Sequence, residues 1–573
     1  MRIRERQVPA QILQADNLHP LLARIYASRG VAGPEEVSYG LKHLHDPASL
    51  GDIDKAVALL FDALQQQARV LIVADFDTDG ATSCAVAIRA LRMFGFKYID
   101  YIVPNRFEYG YGLTPEIVEL AKTKQPDLLI TVDNGISSHD GVAVARQAGI
   151  KVLVTDHHLP ADTLPDANAI VNPNKHDDAF PSKAMAGVGV VFYVMLALRK
   201  FLRDEQWFVM HDMPEPNLAQ LLDLVALGTV ADVVPLDYNN RIFVSQGLAR
   251  IRAGQCVPGI QALLNFGRTT QKQVVAADLG FIIAPRLNAA GRMHDMGVGI
   301  ECLLTDDMNR ASMLAQQLDT LNQERREVER DMQTQAMQVL DTIHYDDASE
   351  IRFGITLYDP DWHQGVIGIL ASRIKDKFHR PVIVFANAND AELKGSARSV
   401  KGVHIRDVLD SIAALHPGLI SKFGGHAMAA GLSLPADNLP QFRQAFNEEV
   451  ARHLSEDDLK GLIVTDGQLS SEEISLDVAE LVRNAGPWGQ AFPEPVFHGD
   501  FRLVNRRIVG EHHLKMTLAA DVDQRLLDAI AFNHTDESWP ANVETVRLAY
   551  RLDINEYQGR RSVQMMVQHV EPR

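Results

Sequence analysis

Between Gly51 and Ile251, short β-branched apolar runs alternate with helical stretches, and this alternation restricts the fold more than any other feature of the chain. The runs Val70–Ala74, Tyr98–Val103, Leu128–Val132, Lys151–Thr155 and Ala169–Val171 are of strand length and end at turn signals. Pro115–Lys122 and His139–Ala148 have helical composition and fall between them. Such alternation builds a parallel sheet with helices on both faces, a doubly wound α/β domain. Ligands of such sheets bind beyond the carboxyl ends of the strands, so chemistry carried by distant segments meets there.

The first run leads directly into Asp75-Phe-Asp77-Thr-Asp79-Gly80, three carboxylates within six residues. Anions that close repel one another unless a cation lies between them, which points to a divalent metal. Gly80 is expected to turn the chain, and Ala81 to Leu91 to continue as helix. Taken alone, the stretch has other readings. It fits a solvated acidic loop. It also fits the start of an EF-hand, whose closing Glu is here Val86 and which a helix should precede. A phosphatase of the Asp-x-Asp-x-Thr type has the right context, but Asp79 stands where Thr or Val is usual.

Two more strand ends carry ligand chemistry: Asp133, in Val132-Asp133-Asn-Gly135, and Asp156-His157-His158. A single strand-end Asp or His is usually structural; three such ends together read as a metal site. Asp232, in Ala231-Asp232-Val-Val-Pro235-Leu, follows a helix in apolar surroundings and needs a partner or a metal. Gly187-Val-Gly189 lacks the third glycine of a nucleotide loop and reads as helix–sheet packing.

A chain of 573 residues implies several domains. With 46% hydrophobic and 23% charged residues it has the balance of a soluble protein. Cys84, Cys256 and Cys302 are scattered and in no zinc spacing, which suggests a reducing cytoplasm. No signal peptide is read from Met1-Arg-Ile-Arg-Glu-Arg, and the apolar run Val188–Leu198 is too short to span a bilayer. A net charge of −18 argues against nonspecific duplex binding, so a nucleic-acid enzyme of this composition must gather its basic residues locally.

The expected organisation is a helical N-terminal piece over 1–50, the α/β domain over 51–305, a connecting segment over 306–345, a second α/β domain over 346–464 and a small β-barrel of OB type over 465–573. Met308 to Ile343 contains neither Gly nor Pro. As a helix it runs roughly 54 Å. Leu314, Leu318, Leu321, Val328, Met332, Val339 and Ile343 trace an apolar stripe, and Gln323 to Asp331 is mostly charged. That pattern suits a bridge between domains; a coiled-coil dimer is the alternative, but the stripe breaks at Arg325. In the second domain, Gly395-Ser396-Ala-Arg398-Ser399 and Phe423-Gly424-Gly425-His426 read as glycine turns of the kind that let backbone approach phosphate. Residues 365–406 hold eight Lys or Arg against three Asp or Glu.

Asp75-x-Asp77-x-Asp79-Gly, Asp133-Asn-Gly, Asp156-His157-His158 and Asp232-x-x-Pro235-Leu together resemble, in order, the four motifs of the DHH phosphoesterase superfamily. Gly424-Gly425-His426 resembles its DHH-associated domain. Asn105-Arg106-x-x-Tyr109-Gly-Tyr111-Gly-Leu and Pro285-Arg286-Leu-Asn288-Ala-Ala-Gly291-Arg292 resemble the RecJ branch. The resemblance implies a 5′→3′ exonuclease that hydrolyses single-stranded DNA to mononucleotides in recombination and repair. It implies two ions, Mn²⁺ or Mg²⁺: Asp75 and Asp77 on the first, Asp133 bridging, Asp79, His157 and Asp232 on the second. His158 would face the scissile phosphate as donor or proton source. Many members carry a His four residues before the second Asp of the first motif; here that residue is Val73, and Asp75 is expected to replace it. Substrate contacts are expected from Arg106, Tyr109, Tyr111, Arg286, Asn288, Arg292, Ser396, Arg398 and His426, with Ser396 and Arg398 on a 5′-phosphate. The implied setting is cytoplasmic, as a monomer working with single-stranded-DNA-binding protein and a RecQ-type helicase. Rival readings are a small-nucleotide phosphodiesterase or pyrophosphatase, an RNA-directed phosphoesterase and a non-catalytic scaffold.

Overall fold

The five apolar runs between residues 70 and 171 are strands whose successive side chains enter two different cores. In this computed structural model, which describes all residues except 1, 10–17, 105–111, 268, 343–352, 390, 455–460, 511–512, 521–524, 533–543 and 558, the runs are β1 (Val70–Ala74), β2 (Ile99–Ile102), β3 (Leu128–Val132), β4 (Lys151–Thr155) and β5 (Ala169–Val171). They form one parallel sheet in the order β2-β1-β3-β4-β5. Val70, Ile72 and Ala74 pack on one face with α1 (Thr78–Phe94), α2 (Gly187–Asp204) and α3 (Leu222–Ala231). Leu71 and Val73 pack on the other with Ile117, Val118, Val142 and Ala145. Burial on both faces is why these strands read as continuous apolar runs and not as alternating ones. The strand order reverses beside β1, between β1 and β3, which places the crevice at the ends bearing Asp75 and Asp133.

The chain divides into two compact units, Glu5–Leu321 with Val464–Arg573, and Met1–Arg4 with Asn322–Ile463. The first unit holds the parallel sheet and, at its C-terminal end, a closed five-stranded barrel made by Phe497–Val509, His513–Ala520, Leu526–Ala531, Thr545–Tyr557 and Arg560–Pro572. The N-terminal segment ties these parts together. Arg29 is fully buried and reaches both oxygens of Asp466, and Tyr26 donates to the Ala485 carbonyl. That segment was expected to be helical; among its described residues it has one helix, Pro20–Ala27, with short 3₁₀ turns and an opening strand, Arg2–Glu5. Further along lie α4 (Ala284–Met293) and α5 (Met308–Thr342).

The second unit is built on a mixed sheet of β6 (Ile355–Tyr358), β7 (Val382–Asn387), β8 (Glu392–Arg398), β9 (Lys422–Gly425) and β10 (Ala429–Pro435), with α6 (Ile367–Phe378) against it. The expected Gly395 turn is absent. Gly395 lies inside β8, opposite Phe385 and Leu432, whose side chains a Cβ there would meet at 2.5 and 2.7 Å. The backbone around Ser396 is therefore engaged in the ladder and is not exposed as a phosphate nest. Likewise Phe423-Gly424-Gly425 is strand, closed onto β10 by a tight turn in which His426 N–H donates to Ala429. In the charged middle of α5, Arg325 and Glu329 are buried while Glu324, Arg326, Glu327, Arg330 and Asp331 are exposed. Arg325 donates to Glu329 at 3.0 Å and to Asn322, and Arg373 meets the other Glu329 oxygen at 2.9 Å. Among the described residues no helix is long and apolar enough to cross a membrane.

Candidate metal centre

Each strand end presents its acid by the same device. The N–H of Asp75 bonds the last carbonyl of β3, that of Asp133 the last of β4, and that of Asp156 the last of β5. The ladder thus extends one residue past each strand and delivers an Asp at its rim. Asn134 fastens the rim by donating to the carbonyls of Val73 and Val132. Asp133 itself takes φ 63°, a left-handed conformation that Asp tolerates better than most residues.

After β1 the chain enters α1 at Thr78, three residues earlier than expected. Asp77 is its N-cap, accepting from Gly80 N–H at 3.0 Å. Gly80 is therefore helical and not a turn residue; a Cβ there would lie 2.4 Å from the Asp75 carbonyl. Asn288 of α4 clamps the same loop, its Oδ1 accepting from both the N–H and the hydroxyl of Thr78 at 2.8 Å.

Asp79 is 1% exposed and is gripped by the first turn of α2: Gly187 N–H donates at 2.6 Å and Val188 N–H at 3.0 Å. The packing reading of Gly187-Val-Gly189 holds for Gly189 but misses Gly187, which stands against the centre. A Cβ on Gly187 would fall 2.7 Å from Asp133, and one on Gly228 would fall 2.8 Å from Asp79. A glycine at the start of a predicted helix was the available signal.

Asp156 is buried, and its carboxylate organises the two histidines. One oxygen accepts from the backbone of His157 and His158 and from His158 Nδ1 at 2.7 Å, and the other from Ile136 N–H. Although burial opposes it, the His158 contact holds the Asp156 carboxyl below its ordinary range. Burial likewise opposes the charge on His158, but Asp156, Asp232 and Asp75 raise its pKa to about 9. Asn172 and Asn174 fix the two histidine carbonyls from behind.

Three groups of potential ligand atoms lie within 4.8 Å of one another: Asp75, Asp77 and Asp133; Asp79, His157 and Asp232; and Asp133, His157 and His158. His157 Nε2 stands 3.1 Å from Asp133 and 3.5 Å from Asp232. Crowding these acids perturbs them. Burial first, then the neighbouring carboxylates, raises Asp79 to about 7 and pushes Asp133 and Asp232 well above the carboxylate range. Asp232 Oδ2 is buried and accepts no hydrogen bond among the described residues. Oxygen donors crowded this closely, with one imidazole in a polar-rimmed crevice, fit hard divalent cations of the Mn²⁺ or Mg²⁺ kind.

The other expected contacts divide. Arg106, Tyr109 and Tyr111 lie outside the described residues. Arg286 is buried, with Nε on Asp319 at 2.8 Å and Nη1 on the Ile282 carbonyl, so it serves the packing of α4 on α5 and is not available for phosphate. Arg292 is on the last turn of α4. In the second unit, Arg398 donates to Ser396 Oγ at 3.1 Å and to the Ala397 carbonyl, beside Gly368 at the start of α6. No carboxylate pairs with Arg398 among the described residues, and burial pulls its pKa down. His426 is exposed at the β9–β10 turn.

Residues 69–229 match the DHH family N-terminal domain, 351–452 the DHHA1 domain and 465–569 the RecJ OB domain. The single-stranded-DNA-specific exonuclease RecJ of Dickeya dadantii is 55% identical over 99% of this chain and 98% of its own length. That of Escherichia coli is 53% identical over 100% and 99%. Crystal structures of Thermus thermophilus RecJ superpose with TM-scores of 0.78 for the Mn²⁺ complex and 0.73 for the Mg²⁺ complex, at 30% and 28% identity. Each covers 97% of this chain, which in turn spans 76% and 75% of the two crystallised chains.

Proposed function

The chain belongs to the RecJ family of DHH-type single-stranded-DNA-specific exonucleases, and from that premise we propose how its residues divide the work. It is a metal-dependent exonuclease acting on single-stranded DNA. The observation that carries the reading is the convergence of Asp75, Asp77, Asp79, Asp133, His157 and Asp232 at one sheet edge. Asp75, Asp77 and Asp133 would hold one ion, and Asp79, His157 and Asp232 another, with Asp133 positioned to be shared. Bound there, the pair supplies a nucleophilic water near neutral pH and offsets charge on the phosphate oxygens.

The chain's own groups do the rest. The first turn of α2 orients Asp79, and Asp156 orients His158 through Nδ1, leaving Nε2 to donate to a phosphate oxygen or to the leaving alkoxide. Asn288 keeps the Asp75–Asp79 loop in register.

Polarity comes from the second unit. A guanidinium with no carboxylate partner among the described residues, next to a serine hydroxyl and the N-terminus of a twelve-residue helix, is suited to a terminal phosphate dianion. Arg398 and Ser396 thus hold the 5′-phosphate and set 5′→3′ cleavage to mononucleotides. The enzyme works in the cytoplasm as a monomer, in recombination and repair, on strands opened by a RecQ-type helicase and coated by single-stranded-DNA-binding protein. The test is Arg398→Ala on paired substrates: cleavage of 5′-phosphorylated strands should fall strongly and of 5′-hydroxyl strands little. Equal losses, or digestion from the 3′ end, would overturn the assignment.

A further inference from the structure

We infer that Asn240 is a positioning residue for the metal centre: its side-chain amide joins the loop that fixes Asp79 to the loop that carries Asp232, and so sets the site of the second ion. The inference rests on the metal assignment above.

Two loops reach the group Asp79, His157 and Asp232 from distant parts of the chain. The loop before α2 ends at Gly187 and Val188, whose N–H groups grip Asp79. The loop after α3 begins at Asp232. Asn240, fully buried in the first turn of the helix Tyr238–Arg252, touches both. Its Nδ2 donates to the Ala184 carbonyl at 2.8 Å and to the Pro235 carbonyl at 2.9 Å. Ala184 stands three residues before Gly187, and Pro235 three after Asp232. A second stitch runs beside the first. Ser182 Oγ donates to one oxygen of Asp237 at 2.6 Å, and the other oxygen accepts from Asn240 N–H at 2.9 Å.

The stitch holds a strained backbone next to a ligand. Val233, which follows Asp232, sits at φ 61°, a conformation costly for a β-branched residue. Its side chain is 62% exposed, so burial does not hold it there. The restraint lies downstream, where Asn240 holds the Pro235 carbonyl, Arg241 Nη1 holds the Leu236 carbonyl at 2.9 Å and Leu236 N–H donates to Gln490 at 2.8 Å. Asn240 Oδ1, by contrast, is buried and accepts no hydrogen bond among the described residues. An unmade buried acceptor costs stability, so what this amide contributes is its two donors. Groups that orient metal ligands in this way tune affinity for the ion.

Mn²⁺ binding to the full chain, read from loss of the free-ion paramagnetic resonance signal, tests this without a catalytic step. Asn240→Ala should weaken one ion of the pair by roughly 10- to 100-fold and leave the other, assigned to Asp75, Asp77 and Asp133, near its original affinity. Asn239→Ala is the control. Asn239 is buried on the same turn but bonds Tyr193 and the His45 N–H, away from both loops. Its loss should lower the melting temperature and leave Mn²⁺ binding unchanged. Ser182→Ala removes only the second stitch and should weaken the same ion by a smaller factor; it decides the question if Asn240→Ala does not fold. Binding of both ions like the unaltered chain, equal weakening of both, or the same weakening from Asn239→Ala would overturn the inference alone. An unaltered chain that takes up no pair of Mn²⁺ ions would overturn the metal assignment, and this inference with it.

Discussion

Replacing Gly187 by alanine tests how the metal centre is built, because the residue touches two of its acids in different ways. Its N–H donates to Asp79 at 2.6 Å, and its missing side chain leaves room for Asp133. A Cβ at 187 would stand 2.7 Å from Asp133 Cβ and Oδ1, where ordinary contact begins at 3.4 Å, so something must retreat by roughly 0.7 Å. Asp133 is held at its backbone by the Thr155 carbonyl and sits at φ 63°, which limits its retreat. If α2 retreats instead, Asp79 loses its donors. Displacement of about 1 Å in a catalytic array lowers rate by roughly 10²-fold, so Gly187→Ala should lose about 10- to 100-fold in the rate of nucleotide release. Overpacking of this size destabilises by about 1–3 kcal/mol, which a chain with this much core survives. Gly189→Ala is the control, since its Cβ meets nothing closer than 3.5 Å. Turnover on single-stranded DNA and Mn²⁺ titration, measured alongside thermal melting, separate the two variants. A Gly187→Ala protein within about twofold of the unaltered rate, or indistinguishable from Gly189→Ala, would refute the reasoning.

Added Mn²⁺ should raise the melting temperature, as any ligand of the native state does, with about 2.7 kcal/mol of stabilisation at a hundredfold excess over Kd. In Asp133→Ala that rise should shrink or vanish and nuclease activity should fall by several orders of magnitude; a full Mn²⁺ response in the variant would exclude a shared ligand. Arg29→Ala removes the buried guanidinium that meets both oxygens of Asp466 and leaves it Arg6 Nε at 3.3 Å, so denaturant melts should show a loss smaller than the about 3–5 kcal/mol of a buried charge left wholly unpaired. Burial lowers the pKa of His498 below the ordinary histidine value of 6.5, with its Nδ1 on Thr465 at 2.8 Å. The unfolded chain therefore binds that proton more tightly, and stability should fall as pH drops through about 6.5 and below. His498→Gln should flatten that part of the pH–stability curve, and an unchanged slope would show that the group does not titrate differentially.

Much of the centre was legible because its acids stand at strand ends. A strand buried on both faces appears as an uninterrupted apolar run, so the residue after it is identified without knowing the fold, and doubly wound topology places all such residues at one edge. That reasoning reached Asp75, Asp133 and the Asp156-His157-His158 cluster. It also reached Asp232, since an acid in apolar surroundings needs a partner wherever it lies. The barrel was legible from short alternating segments, and the long helix from the absence of Gly and Pro.

What the order of residues could not carry was the partner of each group, because partners are set by packing between segments far apart in the chain. Arg286 reads as a phosphate ligand beside Asn288, yet Asp319, thirty-three residues on, claims it. Gly395 reads as a turn, yet two aromatic and aliphatic neighbours from other strands make it a clearance inside β8. Gly187 reads as packing, yet it donates to an acid 108 residues earlier. Local pattern determines which backbone conformation a segment prefers and which residues lie at its ends. Which of those residues are consumed by structure and which remain for a metal or a phosphate depends on distances between segments, and only the packed chain decides them.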